Sequence, residues 1–322
     1  MSNFREQIID YNEWIQILTS SNDYLYTGLH LMDSLMKDRR FSIIYYRDKP
    51  VLGFPILTSR IYGLKSLVLY IIGLPYLGFV VFDKKIFSDL DYYIELTSFL
   101  IKNTIVKEYG FVFIKNPPYL VDPRGFVWSN WYFRTEFTYL SYPNKLSINN
   151  LRKIRRREYR KALKERFVID KMDFREYIKY YLELARIKGF YGRAGLELIE
   201  LLSRNKEDKI LIYVARSDKG IGAGESFLVD EHLNTCYRLF PFTTDYGRKT
   251  GASTYLLYHV LSEHLVNYPY IVMLGGLDLN IARFVQDFSH AIKPYYSLAR
   301  FKNKLLNKLG GILLAIKGFT KY

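Results

Sequence analysis

The segment FTTDYGRKTGAST, from Phe242 to Thr254, lies between an aromatic run that reads as a strand and an apolar run that reads as a helix. A turn of that kind needs one glycine. This one holds Gly247 and Gly251, the cations Arg248 and Lys249, and the small residues Ala252 and Ser253 where the helix opens. Free amides at a helix start bind anions, and small residues let a ligand come close, so the chemistry these residues suit is phosphate binding. A capped turn with solvated charges uses the same residue types, and the segment alone leaves both readings open.

Other chemistry has less support. The sequence contains no HExxH, no Cys–His pair, no Walker loop and no GxSxG, so metal-enzyme, kinase and serine-hydrolase readings have nothing to stand on. His259 and His264 are five apart, not the i, i+4 spacing of helical metal ligands, and His290 reads as a helix-end residue. The single cysteine, Cys236, excludes a disulfide framework and reads as inert core within a strand. A net charge of +15 over 322 residues calls for an anionic partner: nucleic acid, a membrane surface or a phosphorylated ligand.

Two basic segments carry much of that charge. LRKIRRREYRKALKERF (151–167) is a helix capped by Asn149 or Asn150, with nine Lys and Arg against two Glu between Arg152 and Arg166. It serves as a solvated face, a receiver for tRNA or a phosphorylated substrate through Arg156, Arg157 and Arg160, or a connector between domains. The tail RFKNKLLNKLGGILLAIKGFTKY (300–322) has six basic residues and no acidic one. Phe301, Leu305, Leu309, Ile312 and Ile316 recur at helical spacing, which suits an amphipathic helix on an anionic membrane or one packed on the domain.

The elements that must position these residues follow from periodicity. Residues 3–38 read as helical pieces, and FSIIYYRDKPVLGFPILTSR as a hairpin turning at Arg47–Pro50. LVLYIIGLPYLGFVVF (67–82) is uncharged but too short and too broken by Gly and Pro for a span, so it reads as two buried strands around a GLP turn. A helix (88–109) and strands at 111–115 and 131–140 complete the first half. The second half reads as helices at 173–188 and about 194–203, strands at 209–217, 221–231 and 235–243, the phosphate-type turn, a helix (254–267), a strand (270–276), a helix (279–290) and a strand (292–301). The expected class is α/β with a mixed sheet, duplicated as domains 1–145 and 146–300, followed by the tail 301–322. The polar start MSNFREQIIDYNEW has no signal-peptide run. The expected location is therefore the cytoplasm, with the tail allowing attachment at the inner face of the cell membrane. Only three Gln, five Met and one Cys hint at a hot habitat.

Three stretches give the sequence a resemblance: GLPYLGFVV (73–81), RRREYRKALK (155–164), and GRKTGASTYLLYHVLSEH followed by YIVMLGGLD. Together they resemble the tandem-domain, Fem-like branch of the GNAT superfamily, which holds peptidoglycan-bridge aminoacyltransferases and relatives assigned to envelope acyl transfer. The basic helix meets that branch's Arg-x-x-Arg-Lys-Ala pattern at Arg157, Arg160, Lys161 and Ala162. The resemblance implies two tandem GNAT-like domains, the second more complete. It also implies an acyl-CoA pyrophosphate loop of the form Arg/Gln-x-x-Gly-x-Gly/Ala, met by Arg248 and Gly251 and departed from at Ser253, with Phe242, Thr243, Lys249 and Ala252 beside it.

The activity implied is N-acyl transfer from acyl-CoA to an amine of an envelope, glycan or lipid-linked precursor, with no metal. An aminoacyl-tRNA donor, or a nucleic-acid-binding protein on a degenerate transferase fold, is the alternative. Such transfer needs a polarised carbonyl, a base for the amine and an acid for the leaving group. Glu225 and Asp278, near strand ends beside the loop, are the carboxylate candidates for the base. Tyr237, Tyr295 and Tyr296 are candidates for the acid, although a solvated carboxylate or a packed tyrosine satisfies the same pattern.

Overall fold

The computed structural model describes residues 3–20, 39–61, 63–70, 78–120, 122–189, 195–205, 209–231, 234–273, 279–303, 305–307 and 310. Asp278, His232, the GLP turn and residues 311–322 of the tail lie outside them. The chain divides into two compact units. The first comprises residues up to Tyr70, Pro75–Glu136 and everything from Pro294 onward; the second is built mainly from Phe137–Lys293. This differs from a division at 145 and 300, because the chain changes unit inside two strands.

In the first unit, β1 (Phe4–Ile9), β2 (Phe41–Tyr46), β3 (Lys49–Pro55) and β6 (Val80–Val81) form one sheet in that order. β1 replaces the first of the expected helical pieces. It pairs antiparallel with β2 from Phe4↔Tyr46 to Ile9↔Phe41, burying Phe4 and Ile9. Glu6 is spent accepting the Ile105 amide at 2.9 Å and the Ser42 hydroxyl at 2.5 Å. The helical reading holds for α1 (Tyr11–Ser20), which buries Trp14 and Leu18. The β2–β3 hairpin turns on Arg47 and Asp48, both at positive φ, and Pro50 lies within β3.

A second set of strands runs β4 (Thr58–Ile61), β5 (Leu64–Leu69), β7 (Phe111–Lys115) and β14 (Ala291–Phe301). β5 runs parallel to β7, and the other pairs are antiparallel. The two halves of the uncharged 67–82 run therefore belong to different sheets, since β6 pairs with β3. Helix α2 (Leu90–Asn103), capped by Asp89, and the short α3 (Arg124–Trp128) cover this core.

The tail begins inside this unit. Phe301 is the last residue of β14 and is buried. Asn307 Oδ1 accepts the Phe301 amide at 3.1 Å, its Nδ2 donates to the Asn130 carbonyl, and its own carbonyl accepts the Tyr132 hydroxyl at 2.6 Å. The start of the tail is thus part of the packed unit. Among the described residues no helix is long and apolar enough to cross a membrane.

In the second unit the strand order is β8 (Tyr132–Ser141), β13 (Ile271–Met273), β12 (Thr235–Thr243), β11 (Gly220–Asp230), β10 (Ile210–Ser217) and β9 (Val168–Lys171). Among the described residues of this unit only β12 and β13 run parallel, so the sheet is mixed, as expected. The basic helix is α4 (Lys153–Lys164). Neither Asn149 nor Asn150 caps it; both fall in a 3₁₀ turn (Ile148–Asn150) held by Ser147. Helices α5 (Phe174–Ile187) and α6 (Leu196–Asn205) follow.

The Phe242–Thr254 segment folds into the end of β12, the one-turn helix α7 (Asp245–Thr250) and the start of α8 (Ala252–His259), which ends in a π turn (Val260–His264). After β13 comes α9 (Leu279–Gln286). Strand alternation splits the faces. Ala223 joins Ala252, Leu256 and Ala162 in one core, while Gly224 faces Tyr177 of α5 and Phe242. Cys236 lies wholly inside that first core, and burial, outweighing the other influences, raises its thiol to about 12, so it is inert.

Candidate functional site

The β12–β13 ladder holds only Cys236↔Ile271 and Tyr237↔Val272 among the described residues, whereas β12 stays paired with β11 as far as Ala223↔Thr243. Along the edge that β12 leaves there is a cavity of about 500 Å³. Its walls come from β12, the α7–α8 turn, α4, the end of α5 and α9, all within the second unit. Phe242, Pro241, Ile281 and Phe284 make it largely apolar. Arg155, Arg238, Lys188 and Arg248 face it as cations, and Glu158 as a carboxylate.

Of the loop residues singled out in the sequence, Phe242, Thr243, Arg248, Gly251 and Ser253 line this cavity. Lys249 points to solvent. Ala252 is fully buried, and its Cβ fills the space a side chain on Gly222 would need. The two glycines answer a need other than ligand approach. A Cβ on Gly247 would stand 1.8 Å from the Gly222 carbonyl oxygen, and one on Gly251 would stand 2.4 Å from the Glu158 carbonyl oxygen. Gly251 also sits at φ +82°, where an L-residue costs about 1 kcal/mol or more. Glycine here lets one stretch of backbone lie on another. Gly251→Ala should therefore lower stability by about 2–4 kcal/mol through the α4–α8 contact. A thermal-unfolding midpoint equal to the parent's would refute that.

The contact at Gly251 carries Glu158 to the first turn of α8. Its Oε2 accepts from the Thr254 hydroxyl and from Arg155 Nη1, each at 2.5 Å. Arg155 is fixed in turn by Asp287 at 2.8 Å and lies 4.8 Å over the Phe284 ring. Arg152 Nη2 also bonds Asp287 at 2.8 Å. A carboxylate of the chain itself therefore stands beside the first turn of α8, on the Thr254 hydroxyl.

The helix presents Arg155 and Glu158 to the cavity, whereas Arg157 and Arg160 are exposed and Arg156 is half-buried, none of them lining it. The phase is set by Ala162, buried against α8 one and two turns further on from those two residues.

Glu225 is 1% exposed. It receives both Nε and Nη2 of Arg238 at 2.6 Å, a bidentate buried pair. Arg238 reaches the cavity, so Glu225 stands behind it rather than against a ligand. Tyr237, its neighbour along the strand, takes the opposite face and is buried. Tyr295 and Tyr296 belong to the first unit, where Tyr295 donates to Glu136 at 2.8 Å. His259 Nε2 lies 2.9 Å from the Tyr159 hydroxyl and its Nδ1 bonds Glu263, while His264 stacks on Tyr213. His290 Nδ1 accepts the Tyr142 amide at 3.1 Å. Among the described residues no cluster of side chains suits a metal ion.

No protein-family model matches the sequence, and no curated protein is similar to it in sequence. Solved structures are similar in fold. FemX covers 95% of this chain and 99% of its own, with a TM-score of 0.59 at 10% identity. A conserved protein of unknown function from Bacteroides thetaiotaomicron covers 93% and 99%, with a TM-score of 0.57 at 11% identity. L-PGS from Bacillus licheniformis covers 96% and 97%, with a TM-score of 0.55 at 14% identity. At such identities the likeness speaks for architecture alone: the chain has a mixed α/β fold similar to that of FemX.

Proposed function

We propose that this protein is an N-acyltransferase that moves an acyl or aminoacyl group to an amine within the second-unit cavity. The observation that carries this reading is the cavity along the edge that β12 leaves. Strand amides at such an edge can grip an extended donor and polarise its carbonyl, and the apolar walls exclude the water that would hydrolyse it.

The geometry favours an aminoacyl ester over acyl-CoA as donor. A CoA diphosphate on the first turn of α8 would meet the Glu158 carboxylate and the α4 backbone packed at Gly251. Meanwhile α4 turns Arg157, Arg160, Lys161 and Lys164 outward, a cationic strip that suits a polyanion such as tRNA. The acceptor in this reading is the amine of an envelope or lipid-linked precursor, as the Fem-like resemblance implies. Calorimetry with acetyl-CoA and with aminoacylated tRNA tests the donor. Tight, salt-dependent binding of the tRNA and none of acetyl-CoA is expected. Micromolar acetyl-CoA binding followed by acyl transfer would return the donor to CoA, and transfer from neither would end the enzyme reading.

A further inference from the structure

Among the described residues, one carboxylate lines the second-unit cavity, that of Glu158 on α4. The other charged side chains facing it are Arg155, Lys188, Arg238 and Arg248, which only donate hydrogen bonds. Glu158 is therefore the charged acceptor that this cavity offers a substrate.

Its geometry is set before anything binds. The close approach at Gly251 fixes the backbone of Glu158 against α8. Oε2 holds the Thr254 hydroxyl and Arg155 Nη1, while no hydrogen bond from the described residues reaches Oε1. The side chain keeps 27% of its surface open, so that oxygen is not sealed away. Arg155 and Arg238 are each held by a further carboxylate, Asp287 and Glu225, which offsets their charge at this wall. Thr254 gives its single hydroxyl hydrogen to Glu158, so its oxygen, also on the cavity wall, can only accept from a ligand.

Two neighbouring acceptors, one of them charged, suit a donor with several hydrogens and a positive charge. A hydroxyl brings one hydrogen and no charge. A guanidinium fork would want both carboxylate oxygens, and Oε2 is taken. A primary ammonium, with three hydrogens on one small group, matches the pair. Phe242, Ile281 and Phe284 supply apolar wall for the body that carries it.

We infer that Glu158, with Thr254 beside it, is an ammonium site that selects substrates carrying a primary amine. The inference rests on the cavity being the substrate cleft of the transferase proposed above. The amine can be the α-amino group of an aminoacyl donor or the amine of the acceptor.

Calorimetry of the full chain with small amines at neutral pH is the test, with leucinamide standing for the donor's α-amino group and n-hexylamine for an acceptor amine. At least one should bind the parent, and its uncharged N-acetyl derivative should bind about tenfold more weakly. Leucinamide as the tighter ligand assigns the site to the donor, and hexylamine assigns it to the acceptor. Glu158→Gln should weaken the amine about tenfold and leave the N-acetyl compound unchanged. Glutamine keeps an acceptor for Thr254, and an unfolding midpoint near the parent's will show that the variant folds. Arg155→Gln reads the same site in the opposite direction: it frees Oε2 from a competing cation and should tighten the amine about threefold. A parent that binds neither amine, N-acetyl derivatives that bind equally well, or amine binding that ignores both substitutions would overturn the site. Charge-selective, Glu158-dependent binding in a protein that transfers nothing would uphold it and sink the transferase reading alone.

Discussion

Glu136→Gln should destabilise the first unit by about 3–5 kcal/mol, because it removes the one negative charge from a buried cationic cluster. Glu136 is 0% exposed. Its carboxylate meets Lys115 Nζ at 3.2 Å and Arg134 Nη2 at 2.5 Å, and accepts the Tyr295 and Ser297 hydroxyls at 2.8 and 2.6 Å. Burial pushes this carboxyl up. Lys115, then the bonds from Ser297, Arg134 and Tyr295, pull it further down, to a net value of about 2 against an ordinary 4.5. A depressed carboxyl stabilises the fold above its unfolded pKa and stops doing so as pH falls through the folded one. About 3 kcal/mol should thus be lost between pH 4.5 and 2 in the parent, and that loss should be missing from the variant. Hydrogen exchange at β7 and β14 reads the unit directly. A variant within 1 kcal/mol of the parent would show that water or relaxation already compensates the cluster.

Glu225→Gln should cost a similar amount in the second unit, again about 3–5 kcal/mol, since Arg238 would keep its charge and lose its bidentate partner inside the protein. The variant separates two roles for Glu225. If it is the base for an acceptor amine, transfer should fall by orders of magnitude while stability barely moves. If it holds Arg238 at the cavity, stability falls, and the double variant Glu225→Gln/Arg238→Met regains much of it by removing the stranded cation. The geometry supports the second outcome. Thermal unfolding of the single and double variants decides it without any knowledge of the substrate.

Long periodic elements were legible in the sequence because burial imposes their pattern: α5, the basic helix and the strands of the second unit other than the unexpected four-residue β9 fall within a few residues of expectation. Failures have local causes. FREQII reads as helix since only its ends are buried, and Glu6 finds its partners far along the chain. In the basic helix the exposed Ile154 and Leu163 obscure the phase. The better signal was the small residue Ala162, which points back to Glu158 and Arg155. The glycines of the loop suggested close approach of a ligand, but composition does not say what approaches. At Gly247 and Gly251 it is the chain's own backbone. Lys188 carried no motif at all, and only the packing of α5 brings it to the cavity.

The strand exchange at residues 136 and 293 also bears on the order of assembly during synthesis. The second unit is nearly continuous in sequence, so a ribosome delivers its strands together and they can pair as they emerge. The first unit starts earlier yet finishes later. β7 stays an open edge until β14, made after the whole second unit, arrives to pair Ser297 with Lys115 and Phe301 with Phe111. A nascent chain halted before β14 would expose that edge to neighbours on the same polysome.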